Sequence, residues 1–213
     1  MWAHIHHWRG FIWRRGFSEA IASEVPKDCL LISVGLPGSW KSPVTEEIAM
    51  VKGFEILRSD FIRLEVLKGK DIFDEKVASS QQNRMMVYEE MFNRAEAMLN
   101  EGMGGLILDA TFFTQELRSR AAKLAREASK PLVIAECVCT EEASIRRISK
   151  RTKEDYESNA LTRQAYLNNK KIFEPVDIEE LKKNHSDLSV IQLTIDTEFD
   201  DPPRWRVTAI KKR

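Results

Sequence analysis

The run Gly35-Leu36-Pro37-Gly38-Ser39-Trp40-Lys41-Ser42 constrains this chain more than any other segment. It follows the apolar stretch Leu30–Val34 and precedes a helical pattern, so it reads as the tight turn between a buried strand and a helix. In that context G-x-x-x-x-G-K-[ST] is a phosphate-binding loop. Successive backbone N–H groups and a helix N-terminus form a concave anion site there. Gly35, Pro37, Gly38, Ser39 and Trp40 belong to the cradle, Lys41 is placed to reach the β and γ phosphates of a nucleotide, and the Ser42 hydroxyl to hold Mg²⁺.

Two residues depart from the pattern. Trp40 stands where glycine would let the backbone approach phosphate without a Cβ. Pro43 suits a first helical turn, but it removes one N–H that could donate to phosphate. Both departures fall on one function, so the flanking chain has to decide whether the loop is a nucleotide site or a chance G-x-x-G turn.

From Asp28 onward strands alternate with helices. Strands are predicted at 30–34, 54–57, 106–108, 132–139 and 189–195. Helices are predicted at 45–52, from Ser59 or Asp60 to Leu67, at 82–101, from a Thr114 cap to Ser129, from Thr140 on, at 160–173 and at 178–183. Met85, Tyr88, Phe92, Ala95 and Leu99 recur at helical spacing, which makes the methionines core filler. This alternation predicts a parallel sheet covered on both faces, with right-handed crossovers. Residues 28–200 form the expected domain, with a polar, charged lid at about 146–160. Residues 1–27 are expected to be a flexible N-terminal extension, rich in Trp, His and Arg, and 201–213 a peripheral basic tail.

Chemistry-bearing residues follow the strands. Asp60 and Arg63, three apart after the second strand, share a helical face at the crevice of the phosphate loop. Asp60 is placed either to take a proton from a substrate hydroxyl or simply to cap its helix, and Arg63 to hold a substrate anion. Asp109 ends the apolar run 106–108 as a Walker-B-like carboxylate or as a turn residue. Arg146, Arg147, Lys150 and Arg151 form either a mobile arginine lid or a solvated helix face.

The ordered set G-L-P-G-S-x-K-S, S-D-x-x-R, L-I-L-D-A-T-F, E-C, R-R-x-x-x-R and Phe173-Glu174-Pro175 resembles the P-loop kinase family, in particular its polynucleotide-kinase-like and zeta-toxin-like members. The resemblance covers about residues 30–197. It implies a three-layer α/β sandwich around a five-stranded parallel sheet with a small helical lid. It also implies use of ATP and Mg²⁺, and γ-phosphoryl transfer to a hydroxyl. By the same resemblance Lys41 and Ser42 match the phosphate and magnesium residues, Asp60 the general base, Arg63 a substrate-binding arginine, Asp109 the acid after the third core strand, and Arg147 or Arg151 the lid arginine.

Two functions follow. One is an ATP-dependent kinase acting on a nucleic acid end, a nucleotide or a small metabolite. The other is a pseudokinase kept as a binding or scaffold module because of Trp40 and Pro43. Lys plus Arg equals Asp plus Glu, 33 each, so no overall charge draws the chain to nucleic acid or membrane. No stretch approaches the ~20 apolar residues of a membrane span, and no secretory h-region is present. Three cysteines, Cys29, Cys137 and Cys139, make neither a disulfide framework nor a metal site. A reducing, cytoplasmic setting is expected, with no membrane and no obligate protein partner.

Overall fold

The computed structural model describes residues 16–152, 158 and 160–213. The chain enters through α1 (Phe17–Glu24), then β1 (Leu30–Val34), α2 (Lys41–Lys52), β2 (Glu55–Arg58) and α3 (Ser59–Val66). The short α4 (Glu75–Ser79) and the long α5 (Gln81–Asn100) lead to β3 (Leu106–Asp109). Then come α6 (Gln115–Glu127), β4 (Leu132–Val138), α7 (Glu141–Ile148), α8 (Arg163–Ile172), α9 (Ile178–Asn184), β5 (Val190–Asp196) and β6 (Arg206–Lys212). The strands form one sheet in the order β2-β3-β1-β4-β5-β6. All pairings are parallel except β5 with β6.

The alternation of β1 divides the core. Leu30, Ile32 and Val34 face α5, α6 and α9 with Met91, Leu108 and Ala121. Leu31 faces the other way, toward Val44, Ile48, Val133 and Leu193. A strand buried on both faces has little room for polar alternation, and 30–34 is apolar but for Ser33, whose hydroxyl is bonded to Asp109. Several helices start where a polar side chain takes an orphan amide: Thr114 accepts from Leu117, Thr140 from Ala143, and Asp177 from Glu180. Gly53 ends α2 at φ +71°, where the left-handed region favours glycine.

The structure differs from the sequence reading at both ends. Part of the expected loose extension is a docked helix: Phe17, Ala20 and Ile21, one helical face, are buried on the second half of the core. Phe17 meets Trp205 edge-on at 5.6 Å, and Lys52 Nζ donates to Val25 O at 2.6 Å. Residues 1–15 lie outside the described residues. The basic tail is not peripheral either, because β6 pairs antiparallel with β5 and Trp205 is buried. Its Lys and Arg residues line the exposed edge of the sheet, where charge opposes edge-to-edge pairing. Of the expected lid at 146–160, residues 153–157 and 159 also fall outside the described set.

Candidate functional site

The loop after β1 is shaped by two glycines. Gly35 has φ +152°, and a Cβ there would sit 2.6 Å from both Cys137 O and Ser39 Oγ. Gly38 has φ +82°, and a Cβ would lie 2.5 Å from Ser144 O in α7. Ser39 N then closes a turn onto Leu36 O at 3.2 Å. Trp40 caps α2 in the left-handed region, φ 57° and ψ 30°, which costs a residue with a Cβ about 1–2 kcal/mol. The indole does not fill the loop. Its Nε1–H donates to Asp200 Oδ1 at 3.2 Å, and the Arg147 guanidinium lies over the ring at 5.0 Å.

Helix α2 begins at Lys41, four residues earlier than its periodicity predicts, because the first turn tolerates Pro43 as its third residue. The amides of Lys41 and Ser42 therefore head a helix and have no acceptor within it, whereas Pro43 contributes none. Two loop carbonyls are held from behind. Arg147 Nη1 donates to Gly38 O at 3.0 Å, and Thr197 Oγ1 donates to Ser39 O at 3.0 Å. Ser39 Oγ is buried with no hydrogen-bond partner among the described residues.

The two acids reach this loop through sheet register. Arg58 of β2 lies opposite Asp109 of β3, so Asp60, two residues past Arg58, arrives beside the end of β3. Asp109 is buried and accepts from Ser33 Oγ at 2.9 Å. Burial pushes its carboxyl above the ordinary range, opposed by Ser42, Lys41 and Ser33. Lys41 Nζ donates to Leu36 O at 3.0 Å. Burial lowers its ammonium pKa, while the charges of Asp109 and Asp60 act in the other direction. Asp60 does not cap α3: Arg58 occupies that position without a side-chain bond, and Asp60 pairs with Arg63 one turn on.

A cavity of about 490 Å³ opens at the carboxyl ends of β2 and β3. Pro37, Gly38, Trp40, Lys41 and Ser42 line it from the loop, and Asp60, Arg63, Asp109 and Arg151 from the other walls. Gly35 and Ser39 shape the loop from beneath. Arg147 is a correction. As a lid arginine it would face the cavity, but it is buried behind the loop, donating to Gly38 O, Thr197 O, Glu198 O and Asp200. Arg151 does line the cavity, with Nη1 on Ala160 O at 3.2 Å.

The donor set suits Mg²⁺. Ser42 and Asp109 bring a hydroxyl and a carboxylate to the wall of one cavity, and this ion takes one or two protein oxygens with phosphates and water. No cluster of three or more His, Cys, Asp or Glu that could hold a metal ion occurs among the described residues. The cysteines are free thiols, and burial raises Cys29 to about 12 and Cys137 further still.

Sequence reasoning missed Arg84, Thr197 and Asp200. Arg84 sits four residues before Tyr88, on the inward side of α5, and that spacing was an available signal. Thr197 and Asp200 follow β5 in an unremarkable polar stretch, and no local pattern marks them as braces of a loop some 160 residues earlier.

A phosphate loop between the first strand and helix of a parallel sheet, with acids at the ends of the two adjacent strands, defines a P-loop protein of kinase-like fold. Solved structures agree. A candidate kinase from Chloroflexus aurantiacus superposes with a TM-score of 0.60 at 18% identity, covering 82% of this chain and 90% of that one. A gluconokinase from Sinorhizobium meliloti gives 0.51 at 13% identity, covering 79% and 82%. At these identities the likeness is one of fold. The family model described as an AAA domain, AAA_33, matches residues 30–176, well over half of the chain, and the chain belongs to that family. Uncharacterized proteins of Mycobacterium tuberculosis H37Rv and Mycobacterium bovis are each 27% identical over 119 residues, 54% of this chain. The match spans only 24% of those relatives' length. Among the described residues no helix is long and apolar enough to cross a membrane.

Proposed function

We propose that this chain is an ATP-dependent phosphotransferase that moves the γ-phosphoryl group of ATP to a hydroxyl of a nucleic acid end, a nucleotide or a small metabolite. The reading rests on one observation: Lys41, Ser42, Asp60 and Asp109 face a single cavity at the carboxyl ends of the strands. In this reading the amides heading α2 and the Lys41 ammonium hold the phosphate tail. Ser42 and Asp109 would hold Mg²⁺, which when bound neutralises charge on the β and γ oxygens.

Asp60 accepts the proton of the acceptor hydroxyl as its oxygen bonds to the γ-phosphorus, and the bond to the ADP oxygen breaks. Arg63 fixes the Asp60 carboxylate and the acceptor, and Arg151 meets the transferring group. The test is label transfer from γ-labelled ATP to an acceptor panel that includes 5′-OH oligonucleotides, nucleosides, nucleotides and sugar acids. Transfer that disappears in Asp60→Asn supports the reading. Failure across the panel with active-site integrity verified removes it.

A second reading, a binding module without transfer, is favoured by the left-handed Trp40 and the amide missing at Pro43. It expects no thermal shift of the wild type with Mg-ATP, and a shift that appears in Trp40→Gly combined with Pro43→Thr. Tight Mg-ATP binding by the wild type rules it out.

A further inference from the structure

The cavity wall also carries Arg84, a cation that the transfer step leaves without a task. Arg84, in the first turn of α5, is partly buried. Its Nε donates to Ala78 O at 3.2 Å, and its guanidinium lies over the Phe113 ring at 5.6 Å. Backbone and aromatic contacts thus aim the group without neutralising it. Arg63 lines the same cavity, and the two arginines also share the wall of a small recess with Leu67, Ile72 and Asn83.

They are close enough to feel one another: burial first, and then the charge of Arg63, lower the hold of Arg84 on its proton. Tyr88 acts on Arg84 in the opposite direction. Asp60 pairs with Arg63 and lies one turn before it. Asp60 balances the charge of Arg63, so an anion entering beside that pair meets the guanidinium of Arg84, and the planar fork of arginine suits phosphate, sulfate and carboxylate.

We infer that Arg63 and Arg84 form a subsite for an anionic group of the acceptor, so that the acceptor is a hydroxyl compound already carrying a phosphate, sulfate or carboxylate. This rests on the reading that Asp60 addresses the acceptor hydroxyl. It narrows the acceptor to charged metabolites, nucleotides and phosphate-bearing ends, and sets aside neutral polyols and nucleosides. Arg84 acts here as a specificity residue rather than a catalytic one.

Matched probes test it. Glycerol, glycerol 3-phosphate and glycerate are titrated calorimetrically into the full chain and into Arg84→Gln, Arg84→Lys and Lys41→Met. Glycerol 3-phosphate or glycerate is expected to bind saturably and glycerol not, and the difference between the two anions identifies which headgroup the pair prefers. Arg84→Gln is expected to weaken the anion roughly tenfold to a hundredfold, with Arg84→Lys retaining most of the affinity. Lys41→Met is expected to leave it in place. Anionic probes that bind no better than glycerol overturn the inference, as does unchanged affinity in Arg84→Gln. Loss in Lys41→Met alone also overturns it, because the anion then sits in the phosphate loop. Mg-ATP binding to the wild type is read separately, so a silent nucleotide site with intact anion binding removes the kinase reading and leaves the subsite standing.

Discussion

Arg147→Met separates a brace from a lid arginine. The substitution keeps a long apolar stem against the Trp40 ring and deletes every donor. Gly38 O, Thr197 O and Glu198 O each lose a charged donor, and two of these bonds are fully buried. At about 1–1.5 kcal/mol for each of these three bonds, the variant should be less stable by about 3–4.5 kcal/mol. A domain with about 5–15 kcal/mol of total stability keeps its fold through that loss, and at about 2–4 °C per kcal/mol its melting temperature falls by about 6–18 °C. The assay is urea and thermal unfolding followed by far-ultraviolet circular dichroism, with Mg-ATP titration on the folded fraction. Nucleotide affinity should fall as well, because the loop keeps Thr197 on Ser39 O but loses the guanidinium on Gly38 O. A melting temperature within a degree or two of the wild type, with transfer abolished, refutes the brace and restores Arg147 to the chemistry.

Asp109→Asn should raise the stability of the nucleotide-free protein while abolishing Mg²⁺-dependent ATP binding, measured by paired melts and calorimetry. The sign follows from linkage. The folded protein holds this proton more tightly than the unfolded chain, so stability is lost as pH rises above the ordinary Asp value of about 3.9 toward the raised folded value. The wild-type advantage at acid pH should therefore vanish in Asp109→Asn. Trp40→Gly removes the left-handed cost but also the indole packing, so it should lose about 1–3 kcal/mol net while tightening Mg-ATP, and a variant as stable as the wild type contradicts the packing role. Gly38→Ala should fail to fold normally or shift α7, visible as a loss of more than about 3 kcal/mol, since its Cβ meets backbone at 2.5 Å. Asp60→Asn should abolish transfer with Mg-ATP binding retained, which single-turnover assays beside calorimetry can resolve.

Much of the sheet was legible in the sequence because β1 and β3 are short, largely apolar runs that end in a punctuating residue, Gly35 or Asp109. Helix α1 escaped because its signal is only Phe17, Ala20 and Ile21, behind a segment rich in Trp, His and Arg. Strand β6 escaped because an edge strand is exposed and charged, and so resembles a tail. In the site, residues adjacent to strand ends could be placed from motif order alone, and Lys41, Ser42, Asp60, Arg63 and Asp109 do face one cavity. Arg147 could not, since a helix that reads as a basic run does not reveal which arginine turns inward. That depends on Gly38, which lets α7 approach the loop closely enough for Arg147 to bond its carbonyl.

Calorimetric titration of Mg-ATP into the wild-type chain, with Lys41→Met alongside, tests the nucleotide site most directly. Saturable one-to-one binding that disappears in Lys41→Met is the expected result. Absence of binding in the wild type, with binding gained in Trp40→Gly, contradicts it.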